Sequence, residues 1–412
     1  MRIEEYNRLH AKNGLRCGYT TGTCAAAAAK AALMIWAGIE IEEVRVLTPA
    51  GVLLDIPVQE AQRGELHASC AVRKYAGDDP DITDQILIYA KVEIGEEEKE
   101  SPFVAGLEGG KGIGRVSRPG LDRKPGEAAI NSVPRRMIEE HVKEAAEKLG
   151  IRREIRVRIS APEGEDLAKK TLNPKLGIIG GISILGTGGL VLPMSRQAII
   201  DTIKTEMRMQ ADHSSCIIAV PGNYGLDFIK KEYKIEGERS VGFSNYIGET
   251  IDYATELRVE KLLLIGHIGK FVKLAGGIMN THSNEADARA EIMAAHLLRT
   301  KPEAVSEEKI YKTAMEILAS NTSTEAVEIL KEKNLLCPVM GSLAEAMYRS
   351  AKARSERAIA LRSKLKKNEE SDEMAYRLKI GVITYTPEEG ELARAGYVEE
   401  ILEEIGNEKG KE

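Results

Sequence analysis

The run Cys24–Trp36, CAAAAAKAALMIW, constrains the fold more than any other stretch. It is built from the strongest helix formers, with Thr21 or Thr23 placed to cap its start and Gly38 to end it. A different pattern follows. Val44–Leu47, Val52–Val58, Leu66–Val72 and Ile86–Ile94 are β-type segments separated by Gly- and Asp-rich turns, as in a meander. Residues 105–126 make a Gly-rich connection too long for an ordinary loop. A helix expected over about 134–149 presents Ile138, Val142, Ala145 and Leu149 on one face, and a strand at Ile155–Ile159 closes an α+β domain over residues 1–165.

Beyond it, strand and helix alternate. Strands are expected at Ile178–Leu185, Cys216–Val220, Lys261–Ile265 and Leu378–Thr384. Helices fall at about 195–211, 246–257, 285–299, 308–319, 323–333 and 342–362. Such alternation predicts a C-terminal α/β domain, residues 166–412, with a mainly parallel, Rossmann-like sheet. Lys364–Glu373 reads as a solvated charged loop.

Composition narrows the class. A chain of 412 residues can bury a large core without disulfides or structural metals. Its five Cys form no C-x-x-C pair, there is no apolar signal-peptide core, and no apolar run nears the roughly 18 residues of a bilayer span. The expectation is a soluble cytoplasmic protein. A net charge of −6 and only 4% aromatic residues argue against nucleic acid or an anionic membrane as partner.

Motifs for several chemistries are missing: no G-x-x-x-x-G-K-[S/T] phosphate loop, no H-E-x-x-H zinc site, no G-x-S-x-G elbow. Gly110, Gly112 and Gly114 mimic half a dinucleotide fingerprint, but no clear strand precedes them and no helix opens after them. Asp78, Asp79, Asp81 and Asp84 lack the Gly and terminal Glu of a calcium loop. The Asp-x-His-x-x-Gly signature of cobalamin carriers is also absent. No metal ligand set is expected.

Four constellations remain. Gly18–Cys24 (GYTTGTC) places Thr20, Thr21 and Thr23 at a helix start, equally an anion site or plain N-capping. Cys17 and Cys24 read as packed thiols. In residues 109–136, Lys111, Arg115, Arg118, Arg123, Lys124, Arg135 and Arg136 oppose only Asp122 and Glu127, seven cations against two anions, or +5 in an acidic protein. That points to a polyanionic ligand approached closely by glycine backbone. Leu176–Leu192 (LGIIGGISILGTGGLVL) reads as a buried strand running into Gly186, Thr187, Gly188 and Gly189, a turn that admits a nucleotide-like cofactor or merely joins two strands. Last, His267, Gly269, Lys270 and Lys273 follow a buried strand, and Thr281, His282 and Ser283 precede a helix carrying Ala286, Ala290, Met293 and Leu297. The two histidines are candidates for acid/base work or for facing a metal.

Taken together, Gly18–Ala29, Ala76–Thr83 (AGDDPDIT), Glu108–Ile138, Asn173–Ser195, Ser244–Gly248 (SNYIG) and Gly266–Arg289 resemble the cobalt-precorrin-5B C(1)-methyltransferases of anaerobic cobalamin synthesis, the CbiD family. Gly188 stands where a second Thr is usual, Tyr75 where Asp is common, and Asp84-Gln85 where His-Gly is common. The resemblance implies methyl transfer from S-adenosylmethionine to carbon 1 of a cobalt-containing contracted tetrapyrrole, with cobalt present only as part of the substrate and other enzymes of the pathway as partners. On that reading Gly186–Gly189 hold the cofactor. Thr20, Thr21, Thr23, Lys111, Arg115, Arg118, Arg123 and Lys270 meet the substrate's carboxylates, and His267 or His282 manages a proton or faces the cobalt. Two other readings stay open: a nucleotide-dependent phosphotransferase using GGKGIG and TTGT, and a non-catalytic tetrapyrrole-binding protein of the same pathway.

Overall fold

A computed structural model describes residues 1–412 except 11–13, 194, 237–239, 302–304, 366–375 and 410–412. The fold is mixed α/β, with sheets of both parallel and antiparallel pairing. It divides into two compact units, Met1–Ser195 and Arg196–Glu412. The border thus falls after Ser195 rather than near residue 165.

In the first unit the helices are α1 (Ile3–His10), α2 (Thr21–Trp36), α3 (Ser132–Lys148) and α4 (Gly164–Ala168). Its strands are β1 (Gly18–Tyr19), β2 (Glu43–Leu47), β3 (Leu53–Pro57), β4 (Gln59–Arg63), β5 (His67–Arg73), β6 (Leu87–Glu98), β7 (Phe103–Gly109), β8 (Arg115–Val116), β9 (Arg153–Ser160), β10 (Ile178–Ile179) and β11 (Leu190–Val191). Every residue of α2 from Thr21 to Leu33 is buried, so this helix is core on all sides. Alanines allow that: their short side chains let α3 and the sheet, through β5 and β6, close on it. The sheet, ordered β4-β5-β6-β9-β7, offers Ala68, Cys70 and Val72, then Ile88, Ala90, Val92 and Ile94, at alternate positions. The β2–β3 hairpin buries Val44, Val46, Leu54 and Ile56.

Two expectations fail here. The connection at 105–126 is not all loop: β7 pairs in parallel with β9, so a strand does precede Gly110. Glycines at 106 and 109 erase the alternation that would have marked it. The apolar run 176–192 is not one strand. Ile178–Ile179 pairs with β8, Ile182 and Ile184 bridge to Ile113 and Ile130, and Leu190–Val191 pairs with β1. Its partners all lie in the first unit, which is why the border comes later.

The second unit contains α5 (Arg196–Ala211), β12 (Cys216–Val220), α6 (Asn223–Tyr233), β13 (Ser240–Gly242), α7 (Ile247–Glu256), β14 (Lys261–His267) and α8 (Ile268–Ala275). After these come α9 (Arg289–Thr300), α10 (Glu307–Ala319), α11 (Ser323–Glu332), α12 (Leu336–Leu365), β15 (Lys379–Thr386), β16 (Gly390–Gly396) and α13 (Val398–Lys409). Residues 366–373 of the expected charged loop lie outside the described residues. The sheet order is β13-β12-β14-β15-β16; three of its four pairings are parallel and the last, β15–β16, antiparallel. Ile217, Ala219, Leu262 and Leu264 face α5, α7, α8 and α12, whereas Ile218, Val220, Leu263 and Ile265 face α6 and α13. Both faces are covered, so these strands are apolar throughout. No helix among the described residues is long and apolar enough to cross a membrane.

Candidate functional site

The Thr-rich helix start and the glycine turn, two separate candidates in the sequence, meet each other. Thr20, rather than Thr21 or Thr23, is the N-cap of α2, its hydroxyl accepting from Thr23 N–H at 3.2 Å. Thr23 donates its hydroxyl to the Gly189 carbonyl at 2.7 Å, and Thr20 N–H donates to the same oxygen at 3.1 Å. Thr21 Oγ1 donates to the Leu185 carbonyl at 3.2 Å and accepts from Leu185 N–H at 2.9 Å. A Cβ on Gly186, at φ +131°, would lie 2.4 Å from Thr20. Gly186 lets the turn lie against the helix start, and Gly189, where a Cβ would stand 2.8 Å from Thr48 and 3.0 Å from Thr23, lets it close on the chain. The three hydroxyls serve that packing, and Gly186–Gly189 is not at the carboxyl end of a sheet strand.

The glycines of 110–114 likewise serve chain-to-chain contact. A Cβ on Gly112, at φ +74°, would stand 1.7 Å from the Ala161 carbonyl oxygen. The cations of this segment divide. Arg123 pairs with Glu127 at 2.8 Å, and Arg135 donates twice to the Leu107 carbonyl at 3.2 Å. Burial, then the neighbouring Arg123, lowers the pKa of Arg135. The Nε atoms of both arginines are buried without a partner. Arg115 donates to the Gly126 carbonyl at 3.0 Å and is exposed. Lys111 and Arg118 are exposed and in no ion pair among the described residues, which leaves them open to a ligand.

The acids of AGDDPDIT and of the residue after it hold their own loop. Asp81 takes the buried Lys74 at 2.6 Å, Asp78 takes Arg16, and Asp84, just past the motif, accepts from Ala76 N–H at 2.7 Å. A cavity of 490 Å³ in this unit is lined by Lys30, Arg45, Asp55 and Lys148 among others. Those charges are paired within the chain, Lys30 and Lys148 to Glu144 and Arg45 to Asp55, so the cavity offers no unmet group.

In the second unit the chemistry gathers at the carboxyl ends of the parallel strands. His267 ends β14 and caps α8, its Nδ1 accepting from Gly269 N–H at 3.0 Å. In the neutral ring Nε2 then carries the proton, so His267 is a hydrogen-bond donor rather than a ready base. Burial lowers its pKa against a small opposing pull from Glu388, and its ring meets Tyr385 edge-on at 5.9 Å. Lys270 donates to the Ser244 carbonyl at 3.1 Å, and Lys273 to the Thr281 carbonyl at 3.2 Å. His282 is exposed, with Nδ1 accepting from Asn284 N–H at 3.1 Å. It does not open a helix: α9 begins only at Arg289, which also removes Ala286 from the expected helical face.

One feature escaped the sequence reading. β12 runs straight through Pro221-Gly222 into α6, whose first turn has no side-chain cap. A Cβ on Gly222 would meet nothing within 4 Å. An apolar strand followed by P-G-N-Y-G was the available signal. The loops after β12 and β14 leave toward opposite faces of the sheet, which makes this a switch point where open α/β sheets take ligands.

Fold and sites together define a two-unit α/β protein with unmatched positive charge in each unit. Its relatives make the class specific. The family profile CbiD matches residues 8–193, and that of the CbiD C-terminal domain residues 280–371. A protein of Ruminiclostridium cellulolyticum named cobalt-precorrin-5B C(1)-methyltransferase is 48% identical over 330 residues, 79% of this chain and 82% of that protein. One of the same name from Alkaliphilus metalliredigens is 41% identical over 397 residues, 95% and 96% of the two chains. A crystal structure of a cobalamin biosynthesis protein, CbiD, from Archaeoglobus fulgidus has 30% identity and a TM-score of 0.36, covering 67% of this chain and 84% of that one. The chain belongs to the CbiD family.

Proposed function

We infer that this chain is a cobalt-precorrin-5B C(1)-methyltransferase of cobalamin biosynthesis, converting its substrate to cobalt-precorrin-6A. The observation that carries the reading is identity of 41% across 95% of the chain to a protein of that name. We read the second-unit sheet as Rossmann-like and its strand ends as the seat of S-adenosylmethionine. Gly222 and the uncapped start of α6, beside His267 and Gly269, fit an extended nucleoside because no side chain closes them. When bound, the donor supplies a methyl group from its sulfonium.

The chain's own residues then position and shield. Lys111, Arg115 and Arg118 form the exposed cationic face that holds the macrocycle's carboxylates. Arg123 stands behind that face, held by Glu127. His267 presents Nε2–H at the end of β14 as a donor to a neighbouring oxygen or nitrogen. His282, exposed on its loop, is the alternative proton carrier. Alignment of a carbon nucleophile with the methyl group and exclusion of water supply most of such a rate enhancement.

The test is double. Arg115→Ala with Arg118→Ala should weaken corrinoid binding roughly tenfold or more while leaving S-adenosylhomocysteine binding unchanged in calorimetry. Gly222→Val should do the reverse. Normal corrinoid binding by the arginine variant would remove the clamp; ATP binding without S-adenosylhomocysteine binding would replace methyl transfer by phosphotransfer.

A further inference from the structure

Buried ammonium groups in this protein come with carboxylates, with one exception. Four lysines are buried among the described residues: Lys30, Lys74, Lys261 and Lys273. Lys30 pairs with Glu144 at 3.0 Å, Lys74 with Asp81 at 2.6 Å, and Lys261 with Glu400 at 3.0 Å and with Glu404. Lys273 is only 3% exposed, yet its one hydrogen-bond partner is the main-chain carbonyl of Thr281. Taking a charge out of water without a counter-ion is costly, which is why unpaired buried lysines are rare.

Lys270 has the same deficit. It lies one turn earlier on the same face of α8, is half-buried, and reaches only the Ser244 carbonyl. The two acceptor carbonyls stand on segments joined to each other by Thr281 N–H donating to the Asn245 carbonyl at 2.9 Å. The two ammonium groups therefore converge, and each lacks the carboxylate that would neutralise it. The carboxylate facing Lys273 is Asp287, already held at 2.7 Å by both Nε and Nη2 of Arg289. Lys273 and Arg289 thus share one anion. Burial lowers the pKa of both lysines, as expected where an ammonium is desolvated without compensation.

The position is independent support. α8 opens at the carboxyl end of β14, and Ser244 follows β13, so the pair stands at the strand ends where a parallel sheet takes its ligands. We propose that Lys270 and Lys273 form a carboxylate-binding site. Lys270 touches the ligand; Lys273 is a positioning residue that supplies buried positive charge beside it. The carboxylate has two available sources, the amino-acid end of the methyl donor or the acidic side chains of the tetrapyrrole. In naming these two, the proposal rests on the methyl-transfer reading.

Calorimetry on the full chain, at about 0.15 M ionic strength, separates the sources. S-adenosylhomocysteine is compared with 5′-methylthioadenosine, which has the nucleoside but no carboxylate. Cobyrinic acid is compared with its heptamethyl ester. In Lys270→Met and Lys273→Met the charged member of one pair should lose at least tenfold in affinity, its uncharged member staying as in the wild type. A loss confined to S-adenosylhomocysteine assigns the donor's carboxylate; a loss confined to cobyrinic acid assigns the tetrapyrrole's. Melting temperature should hold or rise in Lys273→Met, because a desolvated charge is removed, whereas a purely structural lysine would lower it. Should Lys273→Met not fold, the half-exposed Lys270→Met decides alone. The site is overturned if both variants bind every probe as the wild type does, or if the wild type prefers neither charged probe. Methyl transfer by a wild type with no such preference would overturn the site and keep the reading; probe binding through the lysines with no turnover would keep the site and overturn the reading.

Discussion

The residues that resemble a ligand cradle are treated differently in the two units. In the first, buried cations are matched inside the chain and glycines bring one segment of backbone against another: Lys74 has Asp81, Lys30 has Glu144, Gly112 meets Ala161 and Gly186 meets Thr20. In the second, Lys261 is matched in the same way and Gly266 packs on Phe271, but Lys273 is buried with no carboxylate in hydrogen-bond reach and Gly222 faces open space. Resemblance to a ligand cradle therefore means different things in the two. Where the chain itself fills the cradle, the motif is packing. Where nothing fills it, the motif is a site.

The sharpest way to break this contrast is a pair of glycine substitutions. Gly112→Ala sets a side chain at φ +74° and 1.7 Å from the Ala161 oxygen, so it should destabilise the first unit by about 3–5 kcal/mol or prevent folding. Gly222→Ala should cost less than about 1 kcal/mol, since its Cβ meets nothing within 4 Å. Urea unfolding read by the emission of Trp36, the chain's one tryptophan, reports the first; hydrogen exchange over α6 reports the second. Equal costs at both positions would erase the distinction.

A smaller effect probes the Thr-rich start. Thr23→Val leaves the buried Gly189 carbonyl without the hydroxyl at 2.7 Å, although Thr20 N–H still reaches it, so a loss of about 1–2 kcal/mol is expected. Cobyrinic acid affinity should not change. A stable variant that binds the corrinoid weakly would return Thr23 to the substrate site.

These outcomes bear on what the sequence could tell. The alanine helix, the β5–β6 meander and β12, β14 and β15 of the second unit were legible because their signals are local: helix propensity, alternation, a continuous apolar run; the short β13 and the polar edge strand β16 carry no such signal. The 176–192 segment was not, because an apolar run carries no period and its pairing partners lie far away in sequence. Thr23 and Gly189 each looked like half of a ligand site since each lacked a local partner; the partner is the other, 166 residues on. Lys270 was visible as a cation after a strand. That Lys273 lacks a counter-ion could not be read from composition, for an acidic chain offers carboxylates everywhere and only the fold decides which arrive.

The smallest predicted effect extends the contrast to pH. In the second unit burial lowers the pKa of His267, against Glu388, and of His296, which faces Arg299 and Arg349 and bonds Ser342 at 2.8 Å. A histidine whose folded pKa lies below its ordinary value is protonated first in the unfolded chain. Its contribution is therefore complete above about pH 6.5 and fades as pH falls below that. In the first unit the relevant groups are carboxylates. Lys148 foremost holds Glu144 down to about 2, and Arg45 holds Asp55 down to about 2. Their contribution is complete above the ordinary carboxylate range, near 4 to 4.5, and is lost only between there and about pH 2. Between pH 7 and 5, hydrogen exchange corrected for intrinsic rate should quicken in α8 and α9 while Trp36 emission holds steady; both should move below pH 4.5, where Glu400 and Glu404 beside Lys261 also titrate. Combined His267→Gln and His296→Gln should flatten the upper window alone. If Trp36 emission already shifts between pH 7 and 5, or the double variant keeps that window, the acid response does not arise from these histidines and the contrast in charge handling stops at the lysines.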